Sequence, residues 1–139
     1  MSDAALNDAA KALLAEPVIA SVATVDASGA PHVTPVWVDV DGGDVVINTA
    51  EGRVKARNLR NSAKIGVCVV DANDPYRVVS LQGTVVDVSA EGADAHIDQL
   101  AKKYLGVDTY PMRQPGEKRV KVRIRPDRVL MQPADGGAQ

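Results

Sequence analysis

The chain predicts a mainly β fold: an antiparallel barrel or strongly bent sheet carrying two to three helices. Six or seven strand-like runs follow one another, and hairpin turns join most of them. The core must be built from Val, Ile, Leu and Ala, because there is no Phe and aromatic content is 3%; Val-rich runs favour strands. At 139 residues the chain can bury one core. It shows no internal repeat or linker, so residues 1–132 read as one domain and 133–139 as a disordered tail.

Each element has a local cause. Ser2 or Asp3 is placed to cap a first helix reaching Ala15, with Leu6, Ala9, Ala10, Leu13 and Leu14 as its apolar stripe, and Pro17 stops it. Val18–Val25 reads as a strand and Asp26-Ala27-Ser28-Gly29 as a turn. His32–Val40 alternates at Val36, Val38 and Val40, and Asp41-Gly42-Gly43-Asp44 turns it into the strand Val45–Thr49. A short basic helix covers Arg53–Asn61. Ile65–Val70 is almost continuously apolar, which predicts burial on both faces. Asn73-Asp74-Pro75 predicts a loop carrying Tyr76, and Arg77–Val88 a long strand in which Gly83 marks a bulge or bend. Glu91–Leu105 reads as a helix closed by Gly106, with Ala95, Ile97, Leu100, Ala101, Tyr104 and Leu105 available to its inner face. After a loop over Val107–Glu117, Arg119–Arg125 alternates strictly, with Val120, Val122 and Ile124 on one face and four cations on the other. Arg128–Met131 adds a last short strand beyond Pro126-Asp127.

Composition excludes several function classes. A net charge of −2 and a pI near 5.6 argue against a nucleic-acid binder, and the basic segments lack interleaved aromatics for stacking bases. No run of about 18 apolar residues predicts a membrane span. The N-terminus lacks the basic-then-apolar order of a signal peptide. Cys68 is the single cysteine, so no intrachain disulfide forms and a cytoplasmic setting is the default. Cys68 reads as a small buried hydrophobe. His32 and His96 share no metal-ligand spacing with it and read as surface or helix polar residues, so no metal site is expected. With no nucleophile elbow, HExxH, Walker loop or GxGxxG, any redox chemistry falls to a cofactor.

One segment stands apart. Residues 1–52 hold a single basic side chain, Lys11, against eight acids, and then Arg53, Lys55, Arg57 and Arg60 fall within eight residues. A strand that ends in Asn48-Thr49, turns at Gly52 and enters a basic helix offers backbone N–H groups, a positive helix end and cationic side chains to one anion. Two readings stay open, a solvated helix face or a phosphate grip. Repulsion among Arg53, Arg57 and Arg60 at helical spacing tilts the balance to the grip. Asn58 can cap locally or bond a ligand. Pro35 interrupts the ladder of its strand and frees neighbouring N–H and C=O groups, which makes Thr34, Val36 and Trp37 candidates for the face of a flat polar ring. Tyr76 and Arg77 could cap such a ring and clamp an acid; Tyr110, Met112 and Arg113 invite the same thought. The Arg119–Arg125 cations read as a wet strand face, one of which, near the strand start, could reach a ligand tail.

The segments VIASVATVDASGAPHVTPVWV, INTAEGRVKARNLRNSAKIGVCVVD, YRVVSLQGTV and RVKVRIRPDRVLM, in this order over residues 5–131, resemble the pyridoxamine-phosphate-oxidase-like split β-barrel superfamily. The R-x-K-x-R-N-L run of Arg53, Lys55, Arg57, Asn58 and Leu59 is the most specific piece, and it looks like the branch dependent on the deazaflavin coenzyme F420. The resemblance implies a homodimer with two cofactor sites at the subunit interface. It implies that Arg53, Lys55 and Arg57 hold the cofactor phosphate, and that Thr34, Pro35, Val36 and Trp37 contact the ring. Asn48 and Thr49 would line the ring or its polyol chain, and Tyr76 and Arg77 would reach in from the partner. Where related chains read Arg-Asp-Pro-Arg after Asn-Leu, this one has Arg60-Asn61-Ser62-Ala63-Lys64, which alters a turn. The activity implied is hydride transfer between reduced F420 and a small hydrophobic, electron-poor acceptor, with Arg60 and Lys64 as extra cations for a longer anionic tail. An FMN-dependent oxidase or reductase and a non-catalytic cofactor-binding module are the alternatives.

Overall fold

Residues 5–133 are described by a computed structural model. Six antiparallel strands close into a barrel, β1 (Ile19–Val25), β2 (Pro31–Asp41), β3 (Asp44–Ala50), β4 (Lys64–Asp71), β5 (Asp74–Ser89) and β6 (Arg119–Gln132), in the order β1-β2-β3-β6-β5-β4. Three helices pack around it: α1 (Asp8–Ala15), α2 (Val54–Asn61) and α3 (Ala93–Leu105). This is the predicted split barrel. Among the described residues no helix is long and apolar enough to cross a membrane.

Alternation puts one apolar row inside each strand. Val22, Val38, Ile47, Val69, Val79, Val122 and Ile124 fill the lumen, and α1 adds Leu13 and Leu14 to the same core. Each fully buried side chain of this size contributes about 1.5–3 kcal/mol. The prediction of two buried faces for Ile65–Val70 fails for the same reason. Ile65, Val67 and Val69 point in, Cys68 is half-buried and Val70 is exposed, because an antiparallel barrel strand has only one inner face.

β2 has an unusual pattern of pairing. It pairs with β1 over Pro31–Trp37 but with β3 only over Val38–Asp41. Its first half therefore lacks a β3 partner, and Pro35 sits where a missing N–H costs least.

Several boundaries differ from expectation. Asn7 caps α1 by accepting from the Ala10 N–H at 2.8 Å; Ser2 and Asp3 lie outside the described residues, as does the tail beyond Pro133. Ala9 is exposed and does not join the stripe. Tyr76 lies in β5 beside Arg77, not on a loop, because the hairpin closes early, at Asp71 opposite Asp74. α3 starts at Ala93, later than Glu91, and its helical register turns His96 inward and leaves Ala95 and Leu105 exposed. The two expected C-terminal strands are one, β6. A register shift opposite Gln82-Gly83 absorbs Pro126 without breaking the ladder.

Gly83 allows that shift. A Cβ there would stand 2.6 Å from Ile124 Cγ2 and 2.9 Å from the Arg125 carbonyl oxygen, and the backbone oxygen cannot swing aside. Gly83→Ala is expected to destabilise the fold by roughly 1–3 kcal/mol, the usual cost of overpacking, measured by urea unfolding. A variant as stable as the parent contradicts this packing.

Candidate functional site

The half of β2 that lacks a β3 partner borders a cleft of about 320 Å³. Pro35, Val36 and Trp37 form one wall, Ile97 and Leu100 of α3 another, and Asn48, Arg53, Tyr110 and Arg119 supply the polar groups. Trp37 is held by aromatic neighbours. Its ring stacks on Tyr104 with centroids 5.1 Å apart and meets Tyr110 edge-on at 5.9 Å.

Arg119 heads β6 with its side chain only 4% exposed. Its Nε donates to Glu117 at 2.9 Å, its Nη2 to the Tyr110 hydroxyl at 3.1 Å and its Nη1 to Asn48 Oδ1 at 3.4 Å. The guanidinium also lies 4.9 Å from the Tyr110 ring centre. Asn48 is buried and spends both amide hydrogens inward, one on the Ala93 carbonyl at 2.9 Å and one toward His96 Nδ1 at 3.2 Å. A buried polar chain thus runs from α3 across the outer face of β3 to the cleft.

α3 is fastened to the barrel beside Trp37. The Tyr104 hydroxyl accepts from the Val38 N–H at 2.9 Å and donates to the Val18 carbonyl at 2.5 Å. Lys103 Nζ donates to the Leu14 and Val38 carbonyls at 2.9 and 2.7 Å. Burial pushes the Tyr104 phenol up to about 12 and pulls the Lys103 ammonium below its ordinary value.

The basic helix divides by side. Lys55 is buried at 6% exposure, whereas Arg57 is exposed. Burial first, and the Arg53 charge second, hold the Lys55 ammonium below its usual value. No carboxylate pairs with it among the described residues, although Arg60 is taken by Glu51 and Arg53 stands 4.0 Å from Glu117. Arg53 occupies the N-cap position of α2 without a side-chain cap bond, which leaves that end of the helix open to an anion.

A family model for pyridoxamine 5'-phosphate oxidase matches residues 6–132. The chain belongs to the pyridoxamine 5'-phosphate oxidase family. Among solved structures, it resembles an F420 reductase at 27% identity, with 86% of this chain and 94% of the other covered and a TM-score of 0.76. It also resembles HupZ of Group A Streptococcus, at 25% identity over 96% and 98% of the two chains with a TM-score of 0.65. A conserved protein of Mycobacterium tuberculosis shares the fold, at 23% identity over 91% and 84% of the two chains with a TM-score of 0.70. Among curated proteins nothing matches the sequence.

In this family member the cleft gathers Pro35, Val36, Trp37, Asn48 and Arg53, with Tyr110 and Met112. Other candidates go elsewhere. Thr34 faces the barrel interior from β2, opposite Val22, with its hydroxyl buried and unbonded. Thr49 lines a separate hollow with Arg60. Asn58 neither caps nor faces the cleft; its amide donates to Thr24 Oγ1 at 3.0 Å and ties α2 to β1. Tyr76 is 80% exposed. Arg77 is bound to Glu16 and Asp71 at 2.7 and 2.8 Å, and Arg113 pairs with Asp94 and Asp98. Three expectations need correction. Arg119 is no wet cation, because Glu117, Asn48 and Tyr110 satisfy it inside. His96 is buried rather than a surface residue, because helical spacing puts it beside Ile97 and Leu100. Cys68 lies half-buried on the outer sheet face, opposite Ser21 and Ser80. The sequence signal for Arg119 was its place at the start of the alternating strand. Ile97 and Leu100 gave none beyond the apolar face of α3.

Tyr104→Phe removes the hydroxyl that links Val38 to Val18 and leaves buried backbone groups unpaired. A loss of about 1–3 kcal/mol is expected in chemical denaturation. An unchanged midpoint contradicts the role given to this hydroxyl.

Proposed function

We propose that this protein is an F420-dependent oxidoreductase that passes hydride between the reduced deazaflavin and a small, apolar, electron-poor acceptor. The observation that carries the reading is Lys55, a buried cation with no carboxylate partner among the described residues. A largely buried ammonium without a counter-charge is costly, and a phosphate resolves that cost. Arg53 and the open end of α2 stand beside it. The similarity to an F420 reductase supports the choice of coenzyme. Members of the wider fold use flavin-type cofactors, and a second reading with FMN draws on Arg60, whose pairing with Glu51 removes one cation from a longer anionic tail.

The residues fit such a cofactor. Lys55 and Arg53 would hold its phosphate, while Pro35, Val36 and Trp37 offer a flat apolar edge to its ring; the expected third cation, Arg57, faces away from Lys55. When bound, the reduced coenzyme supplies the hydride. The chain's own share is orientation and exclusion of water: the rigid Trp37–Tyr104 stack fixes one wall, and Ile97 and Leu100 keep another dry. Tyr110, held by Arg119, stands at the cleft as a hydroxyl able to give a proton to the reduced acceptor.

The assembly proposed is a homodimer. The outer face of β2, β1, β4 and β5 carries Val33, Pro35, Ile19, Ser21, Cys68, Val70 and Ser80 in facing register. Val33 is 61% exposed and Ile19, like Val70, is exposed too, and none of these residues is charged. Because Ile19, Pro35 and Trp37 also form the lip of the cleft, a second copy on this face completes the site and can bring its Tyr76 to it.

Lys55→Met keeps the side-chain bulk and removes the charge. It is expected to weaken F420 binding about tenfold or more in a fluorescence titration while leaving the melting temperature of the protein alone unchanged or higher. Equal affinity in parent and variant overturns the reading, and tighter retention of FMN than of F420 by the parent selects the second one. Ser21→Arg plants a charge in the uncharged face. Light scattering should then report a monomer, with coenzyme affinity lost; a dimer of full affinity refutes the assembly.

A further inference from the structure

His96 lies at the far end of the polar chain that reaches the cleft, and its imidazole is 6% exposed. The amide orientation of Asn48 is fixed from two sides, since its nitrogen must donate to the Ala93 carbonyl and its oxygen must accept from Arg119. The second amide hydrogen therefore points at His96 Nδ1, which must be an unprotonated acceptor. The ring proton is then on Nε2, an atom that is buried and has no hydrogen-bond partner. We infer that His96 is a positioning residue for the cleft: its neutral, Nε2-protonated ring locks Asn48 so that the amide oxygen holds Arg119 in place, and protonation of the ring releases that lock.

The reason is donor arithmetic. A protonated imidazole carries N–H on both nitrogens and turns the Asn48–His96 contact into donor against donor. Asn48 cannot escape by rotating its amide, because that would aim its NH₂ at the Arg119 guanidinium and its oxygen at the Ala93 carbonyl. The groups around the ring set the titration. A polar hollow behind it is lined by Asp39 and Asp41 of β2, Lys121 and Arg123 of β6 and Gln99 of α3. Burial is the largest effect and lowers the His96 value; Asp39 opposes it, and Lys121 and Lys103 reinforce it. Asp41 and Arg123 are paired with each other at 2.6 Å. The neutral ring therefore prevails at pH 7, and the lock opens as pH falls into the acid range below the ordinary histidine value. The same displacement means that the unfolded chain binds this proton at higher pH than the folded one, so stability also declines as pH drops through that window.

For its effect on affinity, though not for the tautomer itself, the inference rests on the coenzyme reading, and the experiment separates the two. Long-range ¹⁵N–¹H spectra of the protein alone at pH 7 should show His96 neutral and protonated on Nε2. A charged ring or a proton on Nδ1 overturns the inference whatever the cofactor. F420 titrations of the parent, His96→Asn and His96→Leu from pH 5 to pH 8 supply the second arm. Asn can present an oxygen near the position of Nδ1; Leu cannot. The Asn variant should match the parent within about twofold at pH 7 and gain on it as pH falls, while the Leu variant binds roughly tenfold more weakly at pH 7. Ratios taken at each pH cancel any titration of the coenzyme. A parent-to-Asn ratio that stays constant with pH, or a Leu variant as tight as the parent, overturns the inference. A parent that binds no F420 but shows the Nε2 tautomer overturns the coenzyme reading and leaves the lock on Arg119 supported.

Discussion

The structure depends on a single-sided strand. β2 is paired with β1 along its first half and with β3 along its second, and the handover falls between Trp37 and Val38. Beyond the last β1 pair, Ile19 with Trp37, the next rung would join Val18 to Val38. The Tyr104 hydroxyl occupies that rung, bonding both residues. Lys103 takes the Val38 carbonyl and, with the same ammonium, the end of α1. One turn of α3 thus satisfies backbone groups that a longer β1 would have served. It also sets Ile97 and Leu100 at the depth where they wall the cleft.

The polar side of the cleft obeys a different rule. Arg119, Glu117, Asn48 and His96 are all buried or nearly so, and each is tolerable only because the next one bonds it. Lys55 breaks this rule among the described residues. Its burial without a counter-ion contrasts with Arg60, Arg77, Arg113 and Arg123, all of which have carboxylates within reach. That contrast, rather than the density of positive charge, separates a binding lysine from a decorated helix.

Most of the fold was legible because period-two alternation and hairpin turns act locally. Asp41-Gly42-Gly43-Asp44 makes its turn whatever surrounds it, and Gly106 ends α3 in the left-handed region. The mistakes about burial share a cause, since each concerned which side of an element faces inward. Ile65–Val70 gave no alternation to read, so its outer face was taken as buried. Arg119 and His96 looked like solvent residues because the residue they share, Asn48, lies 71 and 48 positions away from them. The R-x-K-x-R-N-L run was visible as a feature, yet its members part company in space. Lys55 turns inward, Arg57 faces out and Asn58 braces α2 against β1. Helical spacing of 100° per residue predicts that dispersal, but only the neighbouring strands decide which direction is the interior.

The strand order has a temporal side. β3 emerges early, but the neighbour that closes its outer edge is β6, the last of the described strands. Until Arg119–Gln132 has been made, a Val-Val-Ile segment offers unsatisfied amide and carbonyl groups to any other extended polypeptide. Ring closure is therefore the most non-local event in assembly and the one paid for latest. A nascent chain stalled before Arg119 is a half-built cylinder with an adhesive margin.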